Sequence, residues 1–188
     1  MALVMRQCGV NDDRIPGLQV PLTFHDLRQG RKYHNELSYG NKDQDQDQDQ
    51  DHQRHRESLR QLLEKFDVQD IFGLVDKHKH FDLPDDSHLI GTVGTFGVHP
   101  QSLFYLIRTV ADKTSNPNEL CGHKFTYIPG KGLRPYEFHQ GPLLDDSKVK
   151  PEFFSQFINY LNKYNITSIG LDDLLETVSK GEDLLETV

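Results

Sequence analysis

Two segments of the chain place apolar residues on one face of a helix. In the first, the positions i, i+3, i+4 and i+7 are filled by Leu59, Leu62, Leu63 and Phe66. In the second, Pro151 opens a segment in which apolar residues recur every four positions, at Phe153, Phe157 and Leu161. Because proline is tolerated in the first turn of a helix and such stripes pack on a core, we predict helices at residues 57–67 and 151–164.

Between these helices, apolar and polar residues alternate with the period of two that is typical of strands. Residues 70–83 and 89–98 are predicted to be extended, and residues 121–139 to form a hairpin around Pro129-Gly130, a pair that suits a type II turn. Residues 166–171 are predicted to form a last strand, followed by a helical turn over 172–178. This order favours an α+β fold, a single domain with a mostly antiparallel sheet flanked by two amphipathic helices.

The segment before the first predicted helix has a different composition. Five aspartates between residues 43 and 51 alternate with four glutamines, and no apolar residue interrupts them. Such a tract buries too little apolar surface to offset the entropy of ordering its backbone. We therefore expect residues 1–54 to be a polar segment with a disordered Asp-Gln tract and at most one short strand, over residues 18–24. The α+β domain then covers residues 55–178.

The end of the chain contains a short repeat. The sequence Asp-Leu-Leu-Glu-Thr-Val occurs at residues 173–178 and again at 183–188. A spacing of ten residues is not a multiple of the helical period, so a continued helix would present the two copies on different faces. We expect residues 179–188 to be a flexible tail, and the role of the duplication stays open.

Composition and charge argue against several classes of protein. A net charge of -8 argues against nucleic acid as the main partner. The longest apolar stretch, residues 103–107, is far shorter than the ~20 residues needed to cross a bilayer. Two cysteines, Cys8 and Cys121, are too few for the disulfide framework of a small secreted domain. Residues 1–4 are too short for a signal peptide. We therefore expect a cytoplasmic or nuclear protein without a membrane partner.

The candidate chemistry begins in residues 71–83. If this segment is extended, His78, His80 and Asp82 share one face, while Lys77 and Lys79 share the other. Since lysines favour water, we expect both histidines to face inward. Two imidazoles on one strand face can converge on a metal ion, and Asp82 can orient them or act as a third ligand. In the alternative interpretation the histidines are structural.

The predicted hairpin supplies a second pair, Glu137 and His139, two residues apart on one strand. If both pairs face the same interior, they form a site for a divalent metal such as zinc, with the four ligands His78, His80, Glu137 and His139. The candidate ligand pocket consists of His78, His80, Asp82, Arg134, Tyr136 and Glu137. Arg134 and Tyr136 share a strand face that could hold an anionic or planar ligand.

Two short motifs resemble those of known families. His78-x-His80-Phe-Asp-Leu and Pro135-Tyr-Glu-Phe138 resemble segments of a family of small proteins of filamentous fungi, over roughly residues 57–171, and this resemblance implies no activity. His78-x-His80 followed by Asp85 and Gly91 is also loosely similar to the first cupin motif. An aspartate stands where cupins usually carry glutamate, and the second cupin motif is absent, so nothing is transferred from that family.

These patterns predict a small-molecule-binding protein whose polar pocket is built on the His-x-His and Glu-x-His pairs, with metal-dependent catalysis as one form of that function. The competing hypothesis is a non-catalytic module with structural histidines that binds a partner protein. No motif identifies a reaction. The substrate, the catalytic residues, the presence and identity of a metal and the oligomeric state therefore stay open.

Overall fold

A computed structural model of the protein describes residues 14–39, 46–95, 103–144 and 146–174. The described helices are α1 (Phe24–Asn35), α2 (Gln46–Phe66) and α3 (Pro151–Tyr164). The strands are β1 (Phe72–Asp76), β2 (Ser87–Thr95), β3 (Leu103–Ala111), β4 (Leu120–Ile128), β5 (Gly132–Gln140) and β6 (Ile169–Asp173). The α+β single-domain fold with a mostly antiparallel sheet is thereby confirmed. None of the described helices is long and apolar enough to cross a membrane.

The six strands form one sheet in the order β1-β6-β4-β5-β2-β3. Neighbouring strands run antiparallel except β2 and β5, which pair in parallel at Ile90 and Phe138. The last strand, β6, lies between β1 and β4 rather than at an edge. This insertion brings the two aspartates at the end of β6 next to residues of β4 and β5.

The predicted hairpin is formed by β4 and β5. The amide of Lys131 donates to the carbonyl of Ile128 at 2.9 Å, which closes a four-residue turn. Gly130 has a φ of 74°, and a type II turn requires this positive φ at its third residue. Within β4 the register shifts on both sides of Lys124, so strict alternation of side chains between the faces ends there.

The main core lies where α2 and α3 pack on the sheet. It contains apolar residues of both helices and four strands, among them Leu59, Leu63, Phe66, Phe72, Phe125, Tyr127, Leu133, Phe153, Phe157, Leu161, Ile169 and Leu171. The predicted stripes thus face inward. Helix α3 begins at Pro151 and ends at Tyr164, as predicted, and the next residue, Asn165, adopts the left-handed conformation common at helix C-termini.

Helix α1 corrects the expectation for the N-terminal segment, because residues 24–35 form a helix where at most a strand over 18–24 was predicted. Thr23 and Asp26 form a capping box at its start. Its buried Leu27 joins a second apolar cluster with Leu22, Ile90, Leu120 and Phe138. Gly30 permits this contact, since a Cβ there would lie 2.7 Å from the Phe138 ring.

A polar network also ties α1 to the sheet. Arg31 Nη1 lies 2.9 Å from Asp112 Oδ2 and donates to the carbonyl of Ser87. The fully buried His88 is hydrogen-bonded through Nδ1 to the other oxygen of Asp112 at 2.9 Å. Arg31 and His88 each contact a different oxygen of Asp112, and these contacts link α1 to β2 and to the end of β3, although His88 Nε2 has no hydrogen-bond partner.

Three further expectations are corrected. Helix α2 begins at Gln46, so residues 46–51 of the Asp-Gln tract are helical rather than disordered. Acidic residues are favourable in the first turns of a helix, and the apolar stripe further along α2 anchors it.

β3 was not predicted as a strand. β6 extends through Asp173, so no helical turn begins at residue 172, and the repeat at 183–188 lies outside the described residues.

Candidate functional site

The histidines of the His-x-His motif are exposed, and the lysines beside them are turned toward the protein. β1 ends at Asp76, before the motif begins. His78 and His80 are both exposed, whereas Lys79 is only 7% exposed and Lys77 is partly buried. The prediction that the histidines face inward is therefore wrong, because it assumed that both lysines favour water, whereas Lys77 and Lys79 find hydrogen-bond acceptors within the protein.

Lys79 is buried because its donors are satisfied. Its ammonium lies 2.6 Å from Asp82 Oδ1 and also donates to the carbonyl of Asn35 at the end of α1. The ammonium lies 4.7 Å from the centre of the Tyr39 ring. Hydrogen bonds from Lys79 and Tyr39 lower the pKa of the Asp82 carboxyl, and the same carboxylate raises the pKa of Tyr39. Asp82 thus pairs with Lys79 and does not orient the histidines.

Lys77 also points back onto the sheet. Its ammonium donates to the hydroxyl of Thr126 on β4. Burial lowers the pKa of Lys77 to about 8, because the charged form is poorly hydrated at this position.

His78 and His80 contact each other. Their Nε2 atoms are 3.2 Å apart, and their rings are perpendicular with centroids 4.9 Å apart. His78 Nδ1 lies 3.0 Å from the carbonyl oxygen of Asp76. Since a carbonyl can only accept, His78 donates through Nδ1, and its Nε2 carries the lone pair when the ring is neutral.

Glu137 and Tyr136 lie in a separate, buried part of the sheet. Glu137 is 3% exposed, and its Oε2 lies 3.4 Å from the ammonium of Lys124 on β4. Burial, with a further contribution from the charges of Glu137 and Asp172, raises the pKa of Tyr136 well above its ordinary value. Both residues are therefore enclosed rather than open to a ligand.

His139 is buried beside the aspartates of β6. Its Nε2 lies 3.6 Å from Asp173 Oδ2, and its ring centroid is 6.0 Å from that of His123. His123 Nε2 lies 3.5 Å from Asp172 Oδ1. Even so, burial, reinforced by the positive charge of Lys124, lowers the pKa of His123 to about 3.

We refer to this group as the buried polar cluster. It consists of Cys121, His123, Lys124, Tyr136, Glu137, His139, Asp172 and Asp173. Burial raises the pKa of the Cys121 thiol to about 11, with a further contribution from Asp173, so the nucleophilic thiolate is not formed near neutral pH.

The four predicted metal ligands do not converge. Two strands, β6 and β4, separate β1 from β5 in the sheet, and His78 and His80 are exposed beyond the end of β1, whereas Glu137 and His139 are buried on β5. Within the described ranges no group of three or more His, Cys, Asp or Glu side chains is arranged to hold a metal. The described residues therefore do not support a zinc site formed by His78, His80, Glu137 and His139 together.

Several residues of the buried polar cluster were missed from the sequence. Asp172 and Asp173 were assigned to a helical turn, and Lys124 was not considered. The alternation of His123 with its neighbours along β4 could have indicated a buried polar position. Its carboxylate partners, however, come from β6, a strand distant in sequence.

A cleft of about 990 Å³ opens between the residues before α1, the β4–β5 turn and α3. We call it the α3 cleft. Its lining includes Arg14, Ile15, Gln19, Tyr127, Lys131, Arg134, Phe154, Ser155, Ile158, Asn159 and Asn162. The charged side chains of this lining are all cationic: Arg14, Lys131 and Arg134. Of the six residues predicted to form a ligand pocket, Arg134 lies here and the other five do not.

Comparisons of the chain with protein-family models, with curated proteins and with solved structures each find no match. The resemblance to the fungal proteins therefore stays a prediction from the sequence.

Proposed function

We propose that the protein binds a small anionic molecule in the α3 cleft. The observation that carries this proposal is the charge of the cleft. Its charged lining residues are Arg14, Lys131 and Arg134, although the chain as a whole has a net charge of -8. The described lining contains cationic side chains and no carboxylate, which gives the concavity a positive potential, so the cleft favours a negatively charged occupant.

The side chains of the cleft suit a ligand with an anionic and an apolar part. Arg134 donates one hydrogen bond to the carbonyl of Leu133, at 2.8 Å. A guanidinium has five N–H donors, so donors remain for a carboxylate or phosphate. Phe154 and Ile158 supply apolar surface on α3. The volume is at the upper end of the range usual for small-molecule sites, about 300–1,000 Å³.

The buried polar cluster is less suited to ligand binding. Its charged groups already lie close together, as Glu137 does to Lys124 and Asp173 to the ring of His139. Ligand entry would require separating these groups inside the protein, where an unpaired charge is costly. The proposal therefore assigns this cluster to stability and the α3 cleft to binding.

Isothermal titration calorimetry with inorganic phosphate, citrate and adenosine monophosphate, in a chloride buffer, tests the proposal. We expect at least one of these anions to bind saturably, and more weakly as salt rises. Arg134→Gln should weaken that binding about tenfold or more, since a hydrogen bond to a charged group contributes about 1.5–3 kcal/mol. Lys131→Gln should weaken it less, because a lysine gives a single flexible point contact.

The matched control is Lys113→Gln, which removes an exposed charge outside the cleft. It should leave the affinity unchanged. The proposal is contradicted if none of the three anions binds at millimolar concentration, or if Arg134→Gln and Lys113→Gln bind equally well. Saturable binding only of an acidic peptide would favour the partner-protein hypothesis instead.

A further inference from the structure

We infer that His78 and His80 form a two-histidine site for a transition-metal dication such as Zn²⁺, Cu²⁺ or Ni²⁺. The site uses neither residue of the other predicted pair, Glu137 and His139. It also uses none of the residues that line the α3 cleft, so it is independent of the proposed function.

The distance between the two ring nitrogens fits one metal ion. Zinc binds imidazole nitrogen at about 2.0–2.1 Å, so two nitrogens at a tetrahedral angle lie about 3.3 Å apart. The Nε2 atoms of His78 and His80 are 3.2 Å apart. Both nitrogens are thus at the spacing that one metal ion requires.

The backbone fixes the orientation of the first ligand. His78 Nδ1 donates to the carbonyl of Asp76 at 3.0 Å, which leaves the lone pair on Nε2, the atom that faces His80. Histidines that bind metals usually donate their other N–H to a carbonyl or carboxylate in this way. Without metal, His80 donates from Nε2 to His78, and on binding its proton moves to Nδ1.

The surroundings permit a cation and leave coordination positions open. The nearby cations are directed away from the histidines, because Lys77 reaches Thr126 and Lys79 reaches Asp82. The Asp76 carboxylate is held by Arg56 at 2.6 Å and by His52 at 2.8 Å. Both neighbouring carboxylates are therefore already paired, and water or an external ligand completes the coordination.

Calorimetric titration of the untagged full chain with zinc, copper(II) and nickel(II) chlorides tests the site. We expect one ion per chain, with affinity lower at pH ~5 because protonated imidazole cannot bind metal. His78→Gln and His80→Gln should each weaken binding about tenfold or more, since loss of even an outer-shell partner usually costs about 10–100-fold. Both residues are exposed, so the variants should keep the melting temperature of the wild type.

His25→Gln is the matched control, because it removes an exposed histidine on α1. It should bind metal as the wild type does. Retention of wild-type affinity in the double variant His78→Gln/His80→Gln, or absence of binding at millimolar metal, overturns the inference.

A spectroscopic measurement tests the orientation separately. In nitrogen-15 NMR of the metal-free protein, His78 should appear as the tautomer protonated at Nδ1. If the other tautomer predominates, Nε2 is not available and the site is not formed as inferred.

Discussion

Two pairs of histidines in this protein have opposite environments. His78 and His80 are exposed and contact each other through Nε2, whereas His123 and His139 are buried beside Asp172 and Asp173. Burial lowers the pKa of His123 to about 3, so the buried ring stays neutral. The exposed pair keeps its nitrogens accessible to an incoming ion. Environment, rather than spacing along the chain, decides which pair can bind a ligand.

The largest expected effect comes from the buried region. Glu137→Gln leaves the Lys124 ammonium without the carboxylate that lies 3.4 Å away. Breaking a buried ion pair is strongly destabilising, so the free energy of unfolding should fall by about 3 kcal/mol. Denaturant unfolding followed by circular dichroism measures the change.

Removal of both charges sharpens this test. The double variant Lys124→Met/Glu137→Leu should recover a large part of the stability, because both members of the ion pair are removed together. The exposed Glu64→Gln serves as control and should change stability by less than about 0.5 kcal/mol. A loss at Glu137 no greater than that of the control would show that the pair does not stabilise the fold.

The next effect is a pH dependence that separates the two histidine pairs. His123 has a pKa of about 3 in the folded protein and about 6.5 when unfolded. Between these values the unfolded chain binds a proton that the folded protein does not. With respect to His123, the free energy of unfolding is therefore highest above pH ~6.5. Below that pH it falls by about 1.4 kcal/mol per pH unit.

Unfolding free energies measured between pH ~6.5 and ~4.5 test this dependence. His123→Gln should reduce the slope, whatever its effect on stability at neutral pH. His78→Gln should leave the slope unchanged, because His78 is exposed. Equal slopes in His123→Gln and the wild type would contradict the assignment.

A smaller change in stability distinguishes the buried Lys79 from the exposed His80. Lys79→Met leaves the carbonyl of Asn35 without its side-chain donor and removes the contact with Tyr39, so stability should fall by about 1–2 kcal/mol. His80→Gln should change it by less than about 0.5 kcal/mol. If His80→Gln proves the more destabilising of the two in thermal unfolding, the reversed orientation is wrong.

The smallest expected effect is a difference in chemical reactivity between Lys77 and an exposed lysine. With a pKa of about 8, this amine is neutral far more often near pH 8 than a lysine at the ordinary ~10.4. Limiting acetylation followed by mass spectrometry should therefore modify Lys77 several-fold faster than the exposed Lys113. Slower labelling of Lys77 would show that the amine is protonated or shielded.

Elements whose signal is local could be predicted from the sequence. The four-residue recurrence after Pro151 is a property of consecutive residues, and α3 forms where it predicts. The same holds for the turn at Pro129-Gly130, because these residue types determine the local backbone angles. Helix α1 left a weaker signal, the cap formed by Thr23 and Asp26, which was not recognised.

The candidate site could be predicted only in part. The sequence indicated that His78 and His80 are close together, which the structure confirms, whereas Arg134 as a residue that holds an anion stays a prediction. It could not indicate that Lys79 is buried, because Asn35, which accepts its hydrogen bond, and Tyr39, which its ammonium contacts, are about forty residues away in the chain.

By itself the sequence determined the fold class, the two helices of the main core and the hairpin, since periodicity and turn chemistry depend on neighbouring residues. Only the tertiary structure decided which polar groups are buried. The insertion of β6 between β1 and β4 placed Asp172 near His123 and separated His78 from His139. Strand order of this kind depends on the total apolar surface that the whole sheet buries. This total depends on residues distant in sequence, so a local pattern does not predict it.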